Sequence, residues 1–111
     1  MRRLVRAAIR NATITRAEGL TLRADPILLR AANILPLEEV ELVHHATSAR
    51  FVTFVEAAAE GSGEVAYGSV RAGDVVSIVA YGLLHDGQTL NHKATLVTVD
   101  AANTVIDIAL S

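Results

Sequence analysis

Short apolar runs rich in Val, Ile and Leu recur along this chain, and turn-forming residues close each of them off. The runs "EEVELVHHA" (38–46) and "RFVTFVEA" (50–57) flank a turn at Thr47-Ser48-Ala49. "EVAYGSV" reads as a short strand and turn. "AGDVVSIVAYGLL" opens on a Gly73-Asp74 turn and continues as a buried strand, and Asp86-Gly87-Gln88 gives the next turn signal. "ATLVTVD" and "TVIDIAL" then alternate across Ala101-Ala102-Asn103. Short strands at this spacing cannot bury their apolar faces singly, so they predict a compact, mainly β barrel with one or two short helices.

The segment from Arg3 to Thr15 is ambiguous: "RRLVRAAIR" admits a helix, but the tail "NATIT" is strand-like, and the whole is assigned to a strand. On an unbroken period of two, Leu4, Arg6, Ala8, Arg10, Ala12 and Ile14 share one face. One helix is clear in "DPILLRAAN". The Asp25 carboxylate can accept an orphan N–H at the N-cap. Pro26 fits the first turn, where no N–H is needed. Asn33 tolerates the left-handed conformation that ends helices, and Pro36 stops any continuation.

Composition narrows the class. Aromatic residues make up only 4% of a chain that is 51% apolar, so the core is aliphatic. The 111 residues fit a single domain, 1–111. A net charge of −2 predicts no nucleic-acid partner and no membrane surface. Arg6 and Arg10 break the N-terminal apolar run, so it is not read as a signal peptide, and the expectation is a cytoplasmic protein. The absence of cysteine excludes disulfides, thiolate metal sites and a cysteine nucleophile.

Several side chains are candidates for chemistry. His44 and His45 are adjacent on a strand and therefore point to opposite faces, which disfavours a shared metal; no metal site is expected. Either could serve as an acid-base group near neutral pH. Arg50 opens an apolar strand, where it can fork onto a carboxylate or lie along the surface on its aliphatic stem. Gly61-Ser62 and Gly68-Ser69 read as turns, since neither has the context of a nucleophile elbow.

Taken in order, "DPILLRAANILPLEEVELVHHATSARFVTFVEAAAEGSGEV", "RAGDVVSIVAYG" and "NHKATLVTVDAANTVI" resemble the pyruvoyl-dependent aspartate 1-decarboxylase family. The resemblance implies a small double-psi β-barrel, assembled as a homotetramer with pockets between subunits. It also implies a Gly-Ser bond that cleaves itself and turns the serine into a pyruvoyl electron sink. Counting back from the helix, Leu20-Thr21 stands where that pair belongs. Cleavage at Thr21 would leave a bulkier 2-oxobutyryl group, and leucine lacks the φ freedom of glycine.

The same resemblance makes Arg50 the substrate-carboxylate arginine and keeps Thr53 near the cleavage point. The family's proton-donor tyrosine corresponds to Phe54, its first-strand lysine falls near Ala8, and its Asn-Gly-Ala-Ala loop is shortened to "AYGSVRAGD". The expectation is a protein without self-processing and without a pyruvoyl or other cofactor. It would be repurposed as a lyase, cyclase or isomerase for a small anionic acid or a specialised-metabolism intermediate. Arg50, Thr53, Tyr67, Tyr81 and His44 or His45 are its candidate catalytic groups. The alternatives are a residual decarboxylase maturing at Thr21 or Ser69, and a non-catalytic binding or scaffold protein.

Overall fold

A computed structural model describes residues 1–111. Eight strands form one sheet: β1 (Arg2–Thr13), β2 (Leu22–Ala24), β3 (Glu39–His44), β4 (Arg50–Ala57), β5 (Val65–Ala66), β6 (Val75–Leu84), β7 (Thr95–Val99) and β8 (Val105–Leu110). Their spatial order is β5-β2-β4-β3-β6-β1-β7-β8. The chain leaving β1 returns to the far edge. Thr15 N–H donates to Val65 O at 2.8 Å, Tyr67 N–H donates to Arg16 O at 3.1 Å, and Arg16 bridges Ala66. The sheet thus curls into the small double-psi-like β-barrel that the strand spacing and the resemblance predict.

The core is aliphatic, as the composition requires. Ile9, Leu22, Leu28, Leu42, Val55, Val76 and Ile78 are among its fully buried side chains.

β1 is a strand, but its alternation is not continuous. Its pairing with β6 shifts register between Val5 and Ala7 and again between Ile9 and Ala12. Asn11 takes φ 66°, a left-handed conformation that asparagine tolerates. Each bulge adds an unpaired residue and flips the phase of the strand beyond it. Ala7 and Ile9 are therefore buried together with Ala12 and Ile14, residues that an unbroken period of two puts on opposite faces.

The helix α1 (Pro26–Ala32) forms as its sequence dictates. Asp25 Oδ1 accepts from Ile27 N–H at 2.9 Å, and Asn33 closes the helix at φ 55°. Ile34 N–H returns to Leu29 O at 2.8 Å, which satisfies an orphan carbonyl. Asp25 reaches further than capping requires: it also accepts from Gly61 N–H at 3.1 Å and Gly63 N–H at 2.9 Å. The glycine loop is thereby tied to the helix start. Asn103 ties the same loop to β1, donating to Gly63 O at 2.8 Å and Thr13 O at 2.9 Å and accepting from Thr13 N–H at 2.8 Å.

Two elements depart from expectation. β2, between the cleavage-like stretch and the helix, has no strand signal of its own and exists through pairing with β4 and β5. The Asp86–Gln88 turn extends into a short 3₁₀ helix over Asp86–Asn91, where Gln88 Oε1 accepts from His85 N–H at 2.9 Å.

Candidate functional site

Parallel pairing of β2 with β4 sets Leu22 beside Val55 and brings the loop before it over Thr53. Thr53 is buried, and its hydroxyl donates to the carbonyl oxygen of Leu20 at 3.2 Å. From the other side, Gly68 N–H donates to Gly19 O at 2.9 Å. A Cβ on Gly68 would lie 2.7 Å from that oxygen, so only glycine permits this approach. Gly19 takes φ 99°, while Leu20 is 95% exposed with its side chain in solvent. The Leu20-Thr21 peptide is thus held between β4 and the Gly68 turn, with its carbonyl polarised by a hydroxyl.

On the outer face of the sheet, Glu41 of β3 collects two donors on one oxygen. Arg50 Nη1 donates to its Oε1 at 2.7 Å, and the Tyr81 hydroxyl donates to the same Oε1 at 2.9 Å. The Arg3 guanidinium lies 3.7 Å over the centroid of the Tyr81 ring, a cation–π contact. The Tyr81 hydroxyl foremost, with Arg50 behind it, holds the Glu41 carboxyl below its ordinary range against its partial burial. Burial first, then the hydrogen bond to Glu41 and its charge, raises the Tyr81 phenol. This cluster edges an open cleft of about 420 Å³ lined by Arg3, Glu38, Glu39, Val52 and Tyr81, among others. Arg6 pairs with Glu38 at the same end of the sheet. Val52 and Glu39 also border a second groove, shared with Leu37, Thr53 and Phe54. The two grooves therefore meet at Glu39 and Val52, with Glu41 and Tyr81 in the first and Thr53, which holds the Leu20 carbonyl, in the second.

The remaining candidates lie elsewhere. His44 Nε2 meets Asp74 Oδ2 at 2.8 Å, and its Nδ1 accepts from Thr47 N–H at 3.2 Å. This hollow also holds Phe51, Ser69 and Arg71. The Arg71 N–H first, then His44, keeps the Asp74 carboxyl below its ordinary range. His45 bonds Ser77 Oγ at 2.8 Å, so the two histidines have different partners. Tyr67 is a core residue that packs edge-on against Phe51, with ring centroids 5.8 Å apart. No group of three or more His, Asp or Glu side chains converges as a metal set.

Sequence reasoning did not single out Glu41 or Arg3. Glu41 had a usable signal: the Thr47-Ser48-Ala49 turn sets the β3–β4 register, which pairs Val43 with Arg50 and leaves Glu41 one step along the same face. Arg3 had none, because its partner Tyr81 is brought to it only by the pairing of β1 with β6, far along the chain.

A curled eight-stranded sheet, with a short helix capped beside a pinned loop, defines a small double-psi-like barrel protein. The family model for aspartate decarboxylase matches residues 1–106. The aspartate 1-decarboxylase of Dehalococcoides mccartyi (strain CBDB1) is 34% identical over 95% of this chain and 91% of its own length. That of Pelotomaculum thermopropionicum is 30% identical over 95% of this chain and 86% of its own. The chain belongs to the aspartate decarboxylase family.

Proposed function

We propose that this family member stays uncleaved and works without a pyruvoyl group, as a repurposed lyase, cyclase or isomerase that takes a small anionic acid in a pocket completed by neighbouring subunits of a homotetramer. The observation that carries the reading is Leu20-Thr21, the dipeptide in the pinned loop ahead of α1. Those residues do not fit a pyruvoyl precursor: threonine carries an extra methyl, and leucine restricts φ where glycine would not. Phe54 supports the reading further, since it offers no hydroxyl for proton transfer. Exposed apolar side chains on the outer face, including Val52, Phe54, Leu37 and Leu83, support burial against further copies of the chain.

Within the pocket, Arg50 is the anion grip, because a guanidinium presents a planar fork to a carboxylate. Tyr81 is the neighbouring proton-bearing group, its hydroxyl donating to Glu41 at 2.9 Å beside Arg50. His44, with Asp74 orienting its ring, is an acid-base group for a separate hollow.

One observation favours a second reading. The Thr53 hydroxyl already polarises the Leu20 carbonyl, the bond that Thr21 would attack in a maturing decarboxylase. Intact-mass measurement after prolonged warm incubation separates the two. A single species near 11.8 kDa supports the uncleaved protein. Two fragments, the second beginning with a 2-oxobutyryl group from Thr21 and absent in Thr53→Val, establish the decarboxylase reading instead.

A further inference from the structure

Arg50 is not free. Its side chain is 63% exposed, yet it is bonded at 2.7 Å to Glu41, whose side chain is only 13% exposed. An exposed arginine on a mobile partner would exchange readily with solvent anions, because surface ion pairs contribute little. Glu41 is held on several sides. It is a strand residue paired on both sides, opposite Val52 of β4 and Val79 of β6. The Tyr81 hydroxyl grips the same Oε1 that Arg50 contacts. Tyr81 is in turn covered by Arg3, which lies across its ring at 3.7 Å. The chain Arg3–Tyr81–Glu41 thus holds a carboxylate on the guanidinium that an external carboxylate would need.

We propose that Glu41 is a built-in competitor at Arg50, a specificity-determining residue that admits to this site only those small carboxylates able to displace it. This rests on the reading of Arg50 as the anion grip. A ligand carboxylate that takes the fork leaves Glu41 bonded to Tyr81 alone. A simple monoanion that makes no other contact gains from Arg50 only what Glu41 gives up, so it binds weakly. A ligand with a second polar or apolar anchor in the adjoining groove of Leu37, Val52 and Phe54 overcomes the competitor. Glu41 thereby selects for ligands that fill both the fork and the groove.

The test uses succinate as probe, titrated by calorimetry and by amide chemical shifts at fixed ionic strength. Glu41→Gln is nearly isosteric and can still accept from Tyr81, so the fold is retained. Removing the internal charge should tighten succinate binding about tenfold or more, the scale of a charge-assisted hydrogen bond. The gain should vanish in Glu41→Gln/Arg50→Ala. Glu56→Gln, which removes an exposed charge from β4 away from Arg50, should change affinity less than about twofold, as screening of exposed charges predicts. Tyr81→Phe should give a smaller gain than Glu41→Gln, because it loosens the competitor without removing it. Equal binding by wild type and Glu41→Gln, both weakened by Arg50→Ala, would overturn the competitor and leave Arg50 as an open grip. A gain matched by Glu56→Gln would reduce the effect to net charge and overturn the proposal. No succinate binding by Glu41→Gln, or binding indifferent to Arg50→Ala, would overturn the competitor together with the anion-grip reading beneath it.

Discussion

Replacing Asp25 tests how the barrel holds its first helix. The side chain is 3% exposed and accepts three backbone N–H groups, from Ile27, Gly61 and Gly63. Asp25→Ala orphans all three. A buried donor left without a partner costs about 1–3 kcal/mol. Ile27 and Gly61 are exposed residues that water can reach, so the low end applies, and the total is about 3 kcal/mol. In a domain of this size that lowers Tm by about 12–24 °C. Asp25→Asn separates the bonds. Ile27 and Gly61 both use Oδ1, which an amide oxygen can replace, whereas Gly63 uses Oδ2 and would face an N–H group. It should cost about half as much as the alanine change. Circular dichroism melts and urea titrations, run at one protein concentration, read both. Burial pushes the Asp25 carboxyl up, but the three N–H groups with Arg30 outweigh it and hold the group below its ordinary value of 3.8. Its contribution is therefore present above pH 3.8 and lost as pH falls through the lower folded value, so the gap to Asp25→Ala should narrow in acid. An alanine variant within about 0.5 kcal/mol of wild type, or an asparagine variant as damaged as alanine, would refute the three-donor account.

Gly68→Ala should lower stability by about 1–3 kcal/mol, because its Cβ meets the Gly19 carbonyl oxygen at 2.7 Å and displaces the pinned loop; an unchanged melt would show that the loop yields freely. Asn103→Ala should cost about 2–4 kcal/mol by breaking three bonds between β1 and the glycine loop, read as a drop in urea midpoint at unchanged slope. On the uncleaved reading, L-aspartate should give no β-alanine at high protein load, and product rising in proportion to protein would reject it. On the proposed anion-grip reading, Arg50→Ala should leave the light-scattering mass of the protein unchanged, and Arg50→Lys should not restore anion binding, because lysine lacks the planar fork.

What was legible in the sequence is what short-range chemistry dictates. Asp25, Pro26 and Asn33 write the limits of α1 within a few residues of it, and the structure obeys them. The Thr47-Ser48-Ala49 turn joins β3 to β4, with Ser48 at φ 62°, and the alternating apolar runs became strands of an aliphatic barrel. Only the tertiary structure decided the rest, since each remaining feature depends on a partner far along the chain. β2 is a strand because β4 and β5 supply its hydrogen bonds, and nothing in Leu22–Ala24 compels it. The bulges that reset the faces of β1 arise from fitting it against β6, across some seventy residues. The carboxylate on Arg50 could be sought one strand away, but its rigidity could not be foreseen. That comes from Tyr81, forty residues beyond Glu41, and from Arg3 at the other end of the chain. Hydrogen bonds and ion pairs act over a few ångströms, so a sequence displays only those whose partners the local backbone already brings together.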